Sequence, residues 1–245
     1  MKKFYEKSEI WFAVMWIIIY VVVMGNLRNN FGDDSVISFV GLLAIATVIT
    51  YFIFKNELGE KYGFVKVKDY KRYLFFIPFI ILMSVNFWPG FSVHYALPGQ
   101  IYAVLTMALV GYVEEVIFRG LLFKAIEKDS LKQAIIISAI TFGAGHIINL
   151  LTGHAAFDTL LQIAYAIAIG FAFVMVFYKS KSIWPCIITH SFIDVASKFS
   201  GESSKTLDIV ISIVIIVVAG GYALYLGGKA TKNYRCSKFR FSERY

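Results

Sequence analysis

The chain has 245 residues, of which 58% are hydrophobic, 17% aromatic and only 16% charged, with a net charge of +8. A soluble domain carries roughly 25% charged residues, and a nucleic-acid reader presents its basic residues on a polar face that this chain hardly has. A disordered chain, a nucleic-acid-binding domain and an ordinary soluble enzyme are therefore excluded. The mean hydropathy of +0.68 points instead to an all-α, polytopic membrane protein, a single integral membrane domain over 1–245.

Apolar runs of about 20 residues can each cross the hydrocarbon layer as a helix. Eight such spans are predicted in chain order: 10–26, 35–54, 73–88, 97–123, 133–151, 158–178, 183–195 and 207–226. The third and seventh are short. The opening MKKFYEK could introduce a signal peptide, but no small-x-small cleavage site follows Met24, so the first run is kept as a span. Lys and Arg number 21 in the N-terminal segment, the second, fourth and sixth loops and the C-terminal tail, against 3 in the intervening loops. That bias predicts both termini in the cytoplasm. Cys186 lies in an apolar stretch and Cys236 in the basic tail, so no disulfide is expected.

Ionisable side chains inside spans are costly and indicate function by default. The fourth span carries Glu114, Glu115 and Arg119, the fifth His146, and the seventh His190 and Asp194. At about 100° per residue, Glu115 and Arg119 lie about 40° apart, which suits an ion pair, whereas Arg119 lies about 140° from Glu114. Glu114 is thus left unpaired on its own helix. The turn near Ser130 lies 16 residues from both Glu114 and His146, so the two share a depth in an antiparallel hairpin. His190 lies nine residues past Lys181, which lets three helices converge inside the membrane, within reach of the cytoplasmic side. Asp194, at i,i+4, can orient the His190 imidazole. Gly143 and Gly145 would admit a close backbone. Trp184-Pro185 reads as a helix start, and Asp158 with Thr159 as the cap of the sixth span. His94 and His154 read as solvated outer-loop residues.

Two glutamates and two histidines at one depth suit hydrolysis. Glu114 can take a proton from water, His146 can share it or position the water, and His190 can donate to an oxyanion. No nucleophile elbow or Ser/His/Asp set is present. Glu114, His146 and His190 could supply a three-ligand zinc site, but HExxH spacing is absent and no cofactor or metal is expected. The same six residues could instead form a buried network that only joins helices, in a non-enzymatic membrane scaffold or immunity protein. A proton-coupled transporter would also use such groups, but no inverted repeat or broken helix pair accompanies them.

The three motifs together resemble the CPBP family of CAAX proteases and bacteriocin-processing proteins, also called Abi. Its pattern is EExxxR, FxxxH and HxxxN or HxxxD on three membrane helices, here Glu114-Glu115 to Arg119, Phe142 to His146, and His190 to Asp194. The motif region covers 111–195. The resemblance implies an intramembrane endopeptidase acting on a peptide or a lipid-anchored or membrane protein in the bilayer of a bacterial cytoplasmic membrane. Peptide maturation and bacteriocin immunity are the associated roles. Carried over, Glu114 and His146 activate water, His190 and Asp194 stabilise the oxyanion, and Glu115, Arg119 and Phe142 support the site. The metal-independent form of the mechanism is favoured over zinc. Asp194 stands where Asn is common, and an ionised Asp cannot donate a hydrogen bond; it is therefore either protonated or confined to orienting His190.

Overall fold

The computed structural model describes residues 1–68, 71, 76–151 and 155–242, so His154 lies outside the described residues. The chain is helical, as the composition predicts. A short helix α1, Lys2–Lys7, precedes α2, Glu9–Phe31, whose N-cap Ser8 accepts from the Trp11 amide at 3.3 Å. Helix α3, Val36–Lys55, is capped in the same way by Ser35 on the Ile37 amide at 3.1 Å. Helix α4, Phe76–Ser84, runs into a 3₁₀ turn, Val85–Phe87. Helix α5 starts at Gly99–Glu115, passes through a π-helical stretch, Val116–Phe123, and ends with Lys124–Glu127. Then follow α6, Leu131–Ala144, α7, Ala156–Ser180, α8, Trp184–Ser197, and α9, Lys205–Ser242.

Among the described residues, six helices are long and apolar enough to cross a membrane. The third and seventh predicted spans are the two exceptions. Helix α8 has 14 residues, or roughly 21 Å against a hydrocarbon core of about 30 Å. It begins at Trp184 because Pro185, lacking an amide hydrogen, is tolerated only in a first turn.

Each end of the bundle is tied by its own polar contacts. At the Lys/Arg-rich end, Lys61 donates to Glu9 at 2.7 Å, Lys128 also pairs with Glu9, and the Ile183 amide donates to the Gly63 carbonyl at 2.9 Å. At the opposite end, Asp33 holds both Arg28 and Lys198, the latter at 2.6 Å, and His94, which is exposed, bonds the Ser200 carbonyl at 2.8 Å. Burial alone would raise the Asp33 pKa, but the hydrogen bonds and charges of Arg28 and Lys198 outweigh it and hold the carboxyl below its ordinary value.

Small residues decide how closely the site helices pack. A Cβ on Gly111 would meet the Ser191 amide nitrogen at 2.4 Å, so α5 and α8 touch backbone to backbone. Ser191 reinforces the contact by donating to the Ala108 carbonyl at 2.8 Å. Gly143 admits α7 as expected, since its Cβ would lie 2.7 Å from the Ile167 nitrogen. Gly145 does not, for nothing lies within 4 Å of its Cβ position. Asp158 is likewise not a cap: it sits inside the first turn of α7, where Ala155 is the N-cap and makes no side-chain capping bond. An acidic residue there still complements the helix dipole.

Gly111→Ala should lower thermal stability in detergent by about 1–3 kcal/mol, the usual cost of overpacking. Gly25→Ala, with nothing within 4 Å of its Cβ position, should leave the transition unchanged or raise it.

Candidate active site

The π-helical stretch buries all eight of its residues, Arg119 among them. Arg119 and Glu115 are both fully inaccessible and pair at 3.0 Å between Nη1 and Oε1. The predicted ion pair thus survives the change of helical pitch. The guanidinium carbon lies 4.2 Å from the centre of the Phe142 ring and 5.3 Å from that of Phe173. Two aromatic faces therefore cover the cation and reduce the cost of removing it from water. Phe142 belongs to the site as its motif position implies.

The Glu115 oxygen that meets Arg119 also meets His190. Nδ1 of His190 lies 2.9 Å from Oε1, and since a carboxylate can only accept, Nδ1 carries the proton. Glu115 is thus not merely a neighbour of the site. It fixes the imidazole of α8 from α5, and the aromatic walls complete the hold: the His190 ring lies 5.4 Å from Phe142 and 5.8 Å from Phe173.

The other ring nitrogen faces the remaining carboxylates. Nε2 of His190 lies 3.4 Å from Asp194 Oδ2 and 3.9 Å from Glu114 Oε2. Among the described residues Glu114 meets no cation from its own helix, as its helical phase predicts. It does have a partner that sequence reading missed: Tyr20 of α2 donates its hydroxyl to Glu114 Oε1 at 2.6 Å. One Tyr among 15, on a helix outside the motif region, carries no local signal of that role.

His146 lies in a 3₁₀ turn, Gly145–Ile147, where α6 has already ended, rather than on a regular helix. Its ring is 6.2 Å from Phe142. It lines one cavity of about 590 Å³ with Glu114, His190 and Asp194. All four predicted reacting residues therefore share one chamber. Among the described residues no three His, Cys, Asp or Glu side chains are grouped as metal ligands, and Nδ1 of His190 is already committed to Glu115.

The chamber leads in an unexpected direction. Its wall continues through Arg28, Asn86, Asp158, Ser197, Ser203 and Asp208, all toward the Lys/Arg-poor end. Toward the other end the path is closed by Val116, Ile117, Phe118, Leu121 and Phe173, each 5% exposed or less. The chamber thus opens toward the Lys/Arg-poor end, the end that the charge bias predicts to lie away from the cytoplasm. Depth along a helix is legible in sequence, but which end of a bundle is plugged depends on side chains from several helices meeting.

Residues 96–196 match the family model described as Rce1-like, type II CAAX prenyl endopeptidase. The match holds all three motifs and bears out the CPBP resemblance. It supports a membrane-embedded hydrolase of the CAAX-protease type. No curated protein matches the chain.

Removing one charge of a buried pair typically costs about 3–5 kcal/mol. Arg119→Met and Glu115→Gln should each destabilise the protein by about that much, read from denaturant unfolding in micelles. The double variant should be more stable than the sum of the two losses implies, because no unpaired charge then remains buried.

Proposed function

We propose that this Rce1-like chain works in a bacterial cytoplasmic membrane and hydrolyses a peptide bond with water activated by Glu114 and His146. The observation that carries the reading is the state of Glu114. One of its oxygens is anchored by Tyr20 and the other faces His190 across 3.9 Å at the base of the cavity. That leaves one oxygen available for proton transfer.

Glu114 takes a proton from water while the water oxygen attacks the scissile carbonyl carbon. His146, on the same cavity wall, positions that water. The carbonyl oxygen becomes an oxyanion at Nε2–H of His190. Since Nδ1 already donates to Glu115, this role requires the imidazolium form. Glu114 then returns its proton to the amide nitrogen, the C–N bond breaks, and a carboxylate and an amine leave. Asp194, at 3.4 Å from Nε2, attracts the imidazolium by charge before substrate arrives and so keeps it aligned. This favours the orienting role for Asp194 over oxyanion donation. No metal takes part in the scheme. Maturation of a peptide or protection against a bacteriocin would both use such an activity.

Glu114→Gln should abolish cleavage while the protein accumulates normally in the membrane. Mass spectrometry of new peptide termini, at matched abundance of wild type and variant, reads this out. Termini that persist in the variant would overturn the mechanism and favour a binding scaffold. Wild-type cleavage should also survive chelation; loss restored by zinc would overturn the metal-free scheme.

Tyr20→Phe removes a hydrogen bond to a charged group, worth about 1.5–3 kcal/mol. It should lower kcat about 10- to 100-fold with little change in KM. A change confined to KM would instead place Tyr20 in substrate binding.

A further inference from the structure

We infer that the cavity takes its substrate from the extracytoplasmic side, and that this substrate is a basic peptide. The inference rests on the proteolytic reading above and names the substrate class of that same site.

Two independent observations meet here. The first is the closed path. Between Glu115 and the Lys/Arg-rich end, the helix interior is filled by Val116, Ile117, Phe118 and Leu121 from α5 and Phe173 and Phe177 from α7, none more than 5% exposed. A peptide cannot pass there without unpacking the core. The second is the charge bias. The sealed end carries the N-terminal lysines, the 55–68 loop with Lys55, Lys61, Lys66 and Lys68, and Lys124, Lys128 and Lys181. Withdrawing the buried Arg119 from the count leaves that bias intact. By the positive-inside rule this end faces the cytoplasm, so the open end faces outward.

The wall of the open cavity then selects by charge. Four carboxylates line it: Glu114 and Asp194 deep inside, and Asp158 and Asp208, both exposed, toward the mouth. Among the described lining residues, Arg28 and Lys198 are both bound to Asp33, which lies outside the cavity lining, and the His190 imidazolium faces Glu114 and Asp194. The Asp33 charge partly offsets Arg28 and Lys198, so an entering chain meets a surface that attracts Lys and Arg. The cytoplasmic C-terminus of a prenylated protein would meet the plugged end instead.

The test has two arms. For sidedness, Ser203→Cys at the mouth and Asp129→Cys at the opposite turn are each placed in a Cys236→Ser background, where Cys186 is buried. A membrane-impermeant thiol reagent should label position 203 in intact spheroplasts and position 129 only after permeabilisation. The reverse pattern overturns the inference. For access, internally quenched peptides bearing either Lys or Glu around a common apolar centre are added outside spheroplasts. Lys-bearing peptides should be cleaved about tenfold faster at low ionic strength. The preference should shrink with salt and in Asp208→Asn, and no cleavage should occur with Glu114→Gln. Cleavage only after permeabilisation overturns outside access, and equal rates or a Glu preference overturn the charge selection. If no Glu114-dependent cleavage appears in either preparation, the proteolytic reading fails, while thiol labelling still decides which way the cavity faces.

Discussion

One carboxylate oxygen organises this molecule. Oε1 of Glu115 receives Arg119 from its own helix and His190 from another, with no solvent contact. A lone carboxylate in such a place would be prohibitively costly. It persists because a cation and an imidazole N–H meet it at 3.0 and 2.9 Å, and because Phe142 and Phe173 cover the cation. Around this point the backbones must approach closely, which explains why Gly111 faces Ser191 where α5 meets α8 and why Gly143 faces Ile167 where α6 meets α7. The π-helical stretch sits directly below, where extra width in the helix places Arg119 within the plug. Such stretches are frequent at functional sites.

The same network divides the protein along the membrane normal. On one side of Glu115 the interior is closely packed and apolar. On the other, a chamber lined by polar groups approaches Glu114, His146, His190 and Asp194. A closely packed floor beneath a polar-lined chamber holds the floor dipoles rigid. Electrostatic interactions with the floor groups are stronger than they would be in bulk solvent. Preorganisation of this kind needs no movement at the moment of reaction. The Lys/Arg-poor end is tied across helices by Asp33, so the mouth has a defined frame.

Much of the site was legible along single helices. The Glu115–Arg119 pair follows from i,i+4 geometry and survived even a change of helix type. The isolation of Glu114 from Arg119 follows from the same phase argument, and equal distance from a shared turn placed Glu114 and His146 in one chamber. Readings that needed a partner elsewhere in the chain fared worse. Tyr20 is separated from Glu114 by 94 positions, and no local pattern marks it among the other tyrosines. Glu115 was read as a support of the site paired with Arg119, whereas its contact with His190, which crosses between helices, carried no signal in the sequence. Gly145 was read beside Gly143 as a place of close backbone approach, but nothing lies within 4 Å of its Cβ position. Asp158 had the look of a cap, yet the N-cap position lies three residues earlier, at Ala155.

The sequence by itself determined the membrane class, the helical segments, the short third and seventh spans and the few polar residues that break the apolar pattern. It also determined the charge bias between the two ends. Each of these depends on composition or on the fixed rise and turn of a helix, which every residue carries locally. Only the tertiary structure decided which oxygen of which glutamate is occupied, which ring nitrogen of His190 remains available, and toward which end the chamber opens. Those depend on the rotation and separation of helices about one another, set by small residues and aromatic plugs contributed from distant parts of the chain.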